Sequence, residues 1–294
     1  MFDGLDQTKA PSPAQIAVRV EQAGIAKAHL SSLATLGRAL FAGAFVGLGT
    51  LLVAAIRTRL APPSYGTIKL LEGLAFAVGM APVVLTNAEL FAANSLFDTA
   101  FIRGRVTLRK LLYNWAIVYL GNALGALVAA LGVYLSSQYR ALHGALAANI
   151  LAMANAKCEL GFFQAIALGM MGNALICLAI WMSFSAPTAL EKVITIIFPI
   201  SAAIASEFEY SIMNMHLLPL ALLIKALDPI FASHITISGV AVNTTSLTVR
   251  NLLLANLLPV TIGNLVGGAG VTALAYWDIY LRPRQRREPD TGTG

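Results

Sequence analysis

The chain has 294 residues, of which 57% are hydrophobic and only 12% charged, and its formal net charge is +6. Soluble domains average about 25% charged residues, so this composition excludes an ordinary soluble enzyme or binding domain and predicts a membrane protein. The positive charge is explained by the distribution of Lys and Arg around crossings and does not require nucleic acid. Two scattered cysteines and four scattered histidines predict no disulfide framework, metal site or cofactor.

The first predicted element is an amphipathic helix within an N-terminal segment, residues 1–34. Ser12 is a suitable N-cap before Pro13, which favours the first position of a helix. Ile16 belongs to a partly apolar stripe, whereas Glu21 is expected to face water. We expect this helix to lie at the membrane interface or against a neighbouring subunit.

Six apolar segments follow within residues 35–281, ahead of a basic tail at residues 282–294. A bilayer crossing needs about 20 residues. Four segments have ordinary length: Leu36–Ile56, Leu111–Leu135, Gly161–Phe184 and Leu252–Ile279. An even number of crossings puts both termini on one side. That side and its loops carry 13 of the 20 Lys and Arg residues, which predicts that it is cytoplasmic.

The second and fifth segments, Leu70–Phe101 and Val193–Ile224, are too long for one straight crossing. As an unbroken helix each would measure about 48 Å, against ~30 Å of hydrocarbon. Each contains a glutamate, Glu89 or Glu209, and a charge at membrane depth is retained where the protein uses it. We interpret both segments as broken helices that line a pathway; a single tilted helix with buried polar residues is the alternative.

These glutamates belong to an internal repeat, because each is followed five residues later by an asparagine. The pairs are Glu89 with Asn94 and Glu209 with Asn214. Three crossings followed by three similar crossings must be inverted relative to each other, since three is odd. The fold class predicted is therefore an all-α membrane protein with six transmembrane helices in an inverted 3+3 repeat and a binding site near the midplane.

The third and sixth crossings share a second pattern: an asparagine, six residues, Gly-Asn, two residues and a glycine. It begins at Asn114 in one case and at Asn256 in the other. The asparagines of the Gly-Asn pairs are Asn122 and Asn264. Hydrogen bonding between helices and contact with a solute are both open interpretations for them.

Five strings in this order resemble the formate/nitrite transporter family: AELFAAN, LGNALGA, GNALICLAIWMSFS, FEYSIMNMHLLP and LLPVTIGNLVGG. The resemblance covers roughly residues 12–281. It implies an aquaporin-like protomer with its own pore, broken second and fifth helices and assembly as a homopentamer. It also implies transport of small monovalent anions such as formate, nitrite, hydrosulfide or short monocarboxylates, with or without a proton.

The resemblance also implies which residues line the pathway. The pore constriction falls on Phe76, Met80, Phe91 and Ala203. The central site falls on Tyr210, Asn173 and Asn214, and the vestibule lysine on Lys157. The loops of the broken helices carry Glu89, Asn94, Glu207 and Glu209. We expect Glu89 and Glu209 to pair with backbone donors of these loops.

The pathway departs from the family pattern at its centre. The family has a histidine in Phe-Glu-His-Ser, where this chain has Tyr210. A phenol stays neutral near neutral pH, so Tyr210 can donate a hydrogen bond but cannot supply a cation; the alternative is that it only fills space. A bare anion in an apolar constriction is costly, and we therefore expect the substrate to cross the centre as the neutral acid.

Two other departures keep a second function open. Ala203 replaces the usual aromatic residue of the constriction, and Glu207 replaces a glycine. Glu207 adds a negative charge that opposes anions unless it is protonated or turned away. A channel for a small neutral or cationic solute on the same scaffold is therefore the alternative. A membrane enzyme is not favoured, because the sequence shows no nucleophile elbow, metal-binding cluster or paired aspartate motif.

Overall fold

The computed structural model describes residues 11–59, 64–237 and 239–282, and most of them are helical. The helices are α1 Pro13–Ala28, α2 Ser32–Arg59, α3 Tyr65–Leu85, α4 Phe91–Asn94, α5 Thr99–Ile102, α6 Leu108–Leu135, α7 Ala145–Cys158, α8 Phe162–Ser183, α9 Ala189–Ala205, α10 Ser211–Leu227, α11 Pro229–His234 and α12 Val249–Leu281. Two short antiparallel strands, β1 Thr236–Ile237 and β2 Val240–Ala241, pair with Thr236 opposite Ala241. The first ten residues and most of the predicted basic tail lie outside the described residues.

Five of these helices are long and apolar enough to cross a membrane: α2, α3, α6, α8 and α12. Two helices of 17 residues each, α9 and α10, span the predicted fifth segment and extend beyond its two ends. Each is shorter than a typical bilayer crossing of about 20 residues. The prediction of an all-α membrane protein is confirmed. The expected boundary at residue 35 falls inside α2, which begins at Ser32.

Helix α1 is capped as the sequence predicts. The Ser12 backbone N–H donates to Gln15 Oε1 over 2.7 Å, and the Gln15 backbone N–H donates to Ser12 Oγ, which is a capping box. The expectation that Glu21 faces water is wrong. Glu21 is buried and pairs with Arg103 Nη1 at 2.7 Å, because α1 packs against the short helical turns around α5.

Helix α12 contains wide turns in which backbone N–H groups bond five residues back, as in the π-type stretch Val266–Ala273. Gly268 lies in this stretch. A side chain there would collide with Ser95 Oγ and Asn173 Nδ2, so glycine lets α12 approach the loop after α4 and the middle of α8. Such turns are frequently found at functional sites.

Outside the membrane-spanning segments, a polar cluster joins the segment between α6 and α7 to the start of α11. Asp228 accepts hydrogen bonds from Tyr139 Oη at 2.7 Å and from Arg140 Nη2. The bond from Tyr139, followed by that from Arg140, holds the pKa of Asp228 below its usual value. The Arg140 guanidinium also lies over the ring of Phe231, 4.9 Å from its centroid.

Candidate functional site

The first helix break lies between α3 and α4 and surrounds Glu89. Helix α3 ends at Leu85, the backbone of Asn87 is left-handed with φ of 51°, and α4 begins at Phe91. Glu89 is fully buried. Lys27 Nζ lies 2.9 Å from Glu89 Oε1, and Asn94 Nδ2 donates to Oε2 over 2.7 Å.

The second break, between α9 and α10, repeats this arrangement around Glu209. Lys157 Nζ contacts Glu209 Oε1 at 2.5 Å, and Asn214 Nδ2 donates to Oε2 over 2.7 Å. The expectation that these glutamates pair with backbone donors is wrong. Both carboxylates take one lysine and one asparagine side chain, since a buried carboxylate needs a countercharge as well as hydrogen bonds.

Asn122 and Asn264 hold the backbone of the two breaks. Asn122 accepts from the Phe91 backbone N–H at 2.9 Å and donates to the carbonyl of Glu89 at 2.8 Å. Asn264 accepts from the Ser211 backbone N–H and donates to the carbonyl of Glu209, each at 3.0 Å. The hydrogen-bonding interpretation of these asparagines is thus confirmed. They supply hydrogen-bond partners to backbone groups that lie outside a helix and would otherwise be unpaired at membrane depth.

Two cavities reach the breaks. The Lys27 cavity has a volume of about 290 Å³, and its lining includes Lys27, Val83, Asn87, Ala88, Ser183 and Lys192. The Lys157 cavity has a volume of about 400 Å³, and its lining includes Arg57, Lys69, Glu72, Lys157, Glu207 and Glu209. Each cavity therefore contains the lysine and touches the break of one repeat.

One face of α3 passes from the Lys157 cavity to the Lys27 cavity. It carries Lys69, Glu72, Phe76, Met80 and Val83, which recur every three or four residues. Glu72 and Val83 are about 16 Å apart along the helix and line different cavities. Phe76 and Met80 lie between them and are only 2% and 1% exposed, so this face closes between the two cavities.

Tyr210 lies against this closed face. Its ring stacks on that of Phe76 with centroids 6.2 Å apart, and its hydroxyl donates to the carbonyl of Gly172 at 3.1 Å. A side chain on Gly172 would press on the tyrosine ring, so the glycine makes room for it. We call Phe76, Met80 and Tyr210 the septum. It is apolar apart from a phenol whose proton is already donated within the protein.

The other predicted pathway residues have these positions. Ala203 is fully buried on α9 and shares its face with Lys192, which lines the Lys27 cavity. Phe91 packs edge to face against Trp115 and Tyr119 of α6, and the linings of the two cavities do not include it. Asn214 is buried and tied to Glu209.

Asn173 lies on α8, between the loop after α4 and helix α12. Its Nδ2 donates to Ser95 Oγ at 3.0 Å and to the carbonyl of Asn264 at 2.6 Å. Its Oδ1 is buried and has no hydrogen-bond partner among the described residues. Asn173 therefore connects the two halves near the septum and keeps one free acceptor there.

Four charged side chains form a cluster in the Lys157 cavity that the sequence did not reveal as a group. Arg57 and Lys69 each pair with both Glu72 and Glu207. Glu207 thus lines the cavity, and Arg57 and Lys69 neutralise its charge. The sequence also did not identify Lys27 as a site residue. Lys27 and Lys157 each lie in the last turn of a helix that precedes a crossing, and this shared position could have indicated Lys27.

Comparison with known proteins agrees with this architecture. A family model described as formate/nitrite transporter matches residues 14–278. The formate channel FocA of Escherichia coli K12 is 36% identical over 271 residues, which cover 92% of this chain and 94% of that one. FocA of Haemophilus influenzae is 33% identical over 261 residues, covering 88% and 91%.

Solved structures give the same result. A pentameric formate channel with formate bound superposes with a TM-score of 0.76 at 34% identity, covering 85% of this chain and 98% of that one. An FNT family ion channel superposes with the same TM-score at 26% identity, covering 91% and 99%. The matched family, the relatives and the superposed structures are channels or transporters, so this chain is an integral membrane channel or transporter and not an enzyme. The chain belongs to the formate/nitrite transporter family.

Proposed function

We propose that this protein is a channel or proton-coupled transporter for small monovalent anions and their weak acids, with formate as the first candidate. Nitrite, hydrosulfide and short monocarboxylates are further candidates of the same size and charge. The observation that carries the proposal is the pair of cavities separated by the septum. The two FocA relatives and the superposed pentameric structure are named as formate channels.

The septum favours passage of the neutral acid. Phe76 and Met80 offer no polar atom, apart from a thioether, and the Tyr210 hydroxyl donates to Gly172. A carboxylate that loses its water here gains no countercharge, and this costs several kcal/mol or more. Lys27 and Lys157 lie in the cavities at either side, each paired with the glutamate of its break. An ammonium group has more than one N–H donor, so Lys157 can bond the anion beside Glu209 before the anion takes up a proton.

Proteoliposomes test this function with formate, nitrite, lactate and urea at pH 5 and pH 7. We expect formate uptake that rises as the pH falls, because the neutral acid becomes more abundant. Absence of formate uptake at both pH values would contradict the proposal. Uptake of urea alone would instead establish the alternative, a channel for small neutral solutes; the cationic version loses its support because Arg57 and Lys69 pair with Glu207.

We also propose that both termini are cytoplasmic in the inner membrane of a bacterium, as the Lys and Arg distribution predicts. Ser12 is exposed and close to the N-terminus, whereas both native cysteines, Cys158 and Cys177, are buried. A Ser12→Cys variant should therefore react with a membrane-impermeant thiol reagent only after the cells are opened. Reaction in intact spheroplasts would reverse the proposed orientation.

A further inference from the structure

The charged cluster in the Lys157 cavity has two cations between two carboxylates. Arg57 Nη2 lies 3.1 Å and Lys69 Nζ 2.5 Å from Glu207 Oε1. On the other side, Arg57 Nε lies 3.1 Å from Glu72 Oε1 and Lys69 Nζ 2.9 Å from Glu72 Oε2. The two cations thus face one point, which the Oε1 atom of Glu207 occupies.

The two carboxylates differ in how firmly they are held. The Glu72 side chain is 3% exposed and lies on α3, one turn from Lys69. The Glu207 side chain is 54% exposed and lies in the break, where its backbone is left-handed with φ of 56°. That conformation is unfavourable for a residue with a side chain. Glu207 is therefore the partner that can leave, and Glu72 is the fixed one.

The place that Glu207 occupies suits a small carboxylate. A guanidinium and an ammonium converge on one carboxylate oxygen, and guanidinium groups recognise carboxylates by paired hydrogen bonds. The surrounding cavity of about 400 Å³ leaves room for a small molecule beside the displaced side chain. Lys157, the other lysine of this cavity, is already paired with Glu209.

We propose that Arg57 and Lys69 form a carboxylate-binding site in the Lys157 cavity and that Glu207 is its internal competitor. A small monocarboxylate such as formate enters by taking the place of the Glu207 carboxylate. The two cations then keep two carboxylate partners, Glu72 and the substrate, while the displaced Glu207 carboxylate turns to water. The inference rests on the proposed transport of small carboxylic acids and names a site at which they bind before the septum.

Formate uptake into proteoliposomes, measured over a range of formate concentrations, tests the competitor. Glu207→Gln removes the charge of the competitor. We expect the half-saturating formate concentration to fall about three- to fivefold, which corresponds to the free energy of one partly exposed ion pair. Glu207→Gly should do at least as much, because it removes the whole competing side chain and glycine tolerates the left-handed backbone. Glu159→Gln is the matched control. Glu159 bonds to Asn155 and Ser246 and does not line the cavity, so the value should not change.

A second background and a second readout make the result specific. In an Arg57→Gln background, Glu207→Gln should have a smaller effect, since Lys69 is then the cation left for Glu207 and formate to share. Saturation-transfer NMR of formate with the detergent-solubilised protein should show stronger binding to Glu207→Gln than to wild type. Formate uptake with the same half-saturation in wild type and Glu207→Gln would overturn the site. Lack of any formate uptake by wild type would overturn the proposed function instead, and the NMR comparison would then still test the site.

Discussion

At the scale of single residues, Tyr210 is the side chain that we propose for the centre of the pathway. It stacks on Phe76, and its hydroxyl proton is directed at the Gly172 carbonyl. The ring therefore blocks the space between the cavities without supplying charge. A residue that becomes a cation near neutral pH would create at this point the countercharge that an anion lacks.

Tyr210→His should raise formate uptake at pH 7. A protonated imidazole stabilises the anion at the septum, and lowering the barrier by about 1.4 kcal/mol raises the rate roughly tenfold. Tyr210→Phe is the control; it keeps the ring and removes only the hydroxyl, so uptake at pH 7 should stay within about twofold of wild type. Equal uptake by the histidine variant and wild type would place Tyr210 away from the rate-limiting step.

Lys157 stabilises the second break in addition to lining a cavity. Lys157→Met leaves the buried Glu209 carboxylate without its countercharge, which costs about 3 kcal/mol and lowers the melting temperature by roughly 6–10 °C. The double variant Lys157→Met, Glu209→Gln should recover part of this loss. Lys192→Met is the control, because Lys192 forms no ion pair among the described residues. Similar losses in both single variants would contradict this role.

At the scale of elements, each helix break is held by an asparagine from a long helix. Asn264 on α12 contacts the backbone at Glu209 and Ser211, and Asn122 on α6 does the same for the other break. The sequence predicted both breaks from excess length and a central glutamate. It did not predict α7, because that 14-residue helix is too short to cross a membrane and lacks a clear apolar stripe.

Asn264→Leu should destabilise the protein without changing its helical content. The substitution leaves a backbone N–H and carbonyls buried and unpaired, at about 1–3 kcal/mol, which corresponds to roughly 3–10 °C in melting temperature. Asn122→Leu should have an effect of the same sign and similar size. Circular dichroism during heating measures both quantities. A melting temperature unchanged in both variants would show that these asparagines do not support the breaks.

At the scale of the whole molecule, the outer faces of the long helices are apolar and exposed in the single chain. Phe41, Phe163 and Phe198 are 60%, 82% and 70% exposed. In a membrane protein such faces contact lipid or another copy. We propose a homopentamer, because the superposed structure described as pentameric covers 85% of this chain.

Native mass spectrometry of the detergent-solubilised protein should give five times the chain mass of 31.0 kDa. Chemical crosslinking in membranes should give a ladder that ends at five chains, because each chain has two neighbours in a closed ring. Crosslinking of the protein at high dilution in detergent is the control for random collisions. A ladder that ends at two or three chains would contradict the pentamer.

Sequence patterns could predict the fold but only part of the site. Apolar length, the repeat and the family strings gave the helical membrane fold and drew attention to Glu89, Glu209 and Lys157. The charged cluster was not predictable, because Arg57 lies on α2, Lys69 on α3 and Glu207 in the break after α9. The packing of α2 on α3 and of α3 on α9 brings them together. The inverted relation of the halves stays a prediction.

The septum also has an electrical consequence. If water fills the cavities on both sides, most of the membrane potential falls across the short distance between them. The electrical free energy of an anion that crosses this distance changes by about 2.3 kcal/mol for every 100 mV. The electrical free energy of a neutral acid does not change. Transport through this septum should therefore be almost independent of voltage, and the protein should equilibrate the acid across the membrane without discharging the potential that the cell maintains.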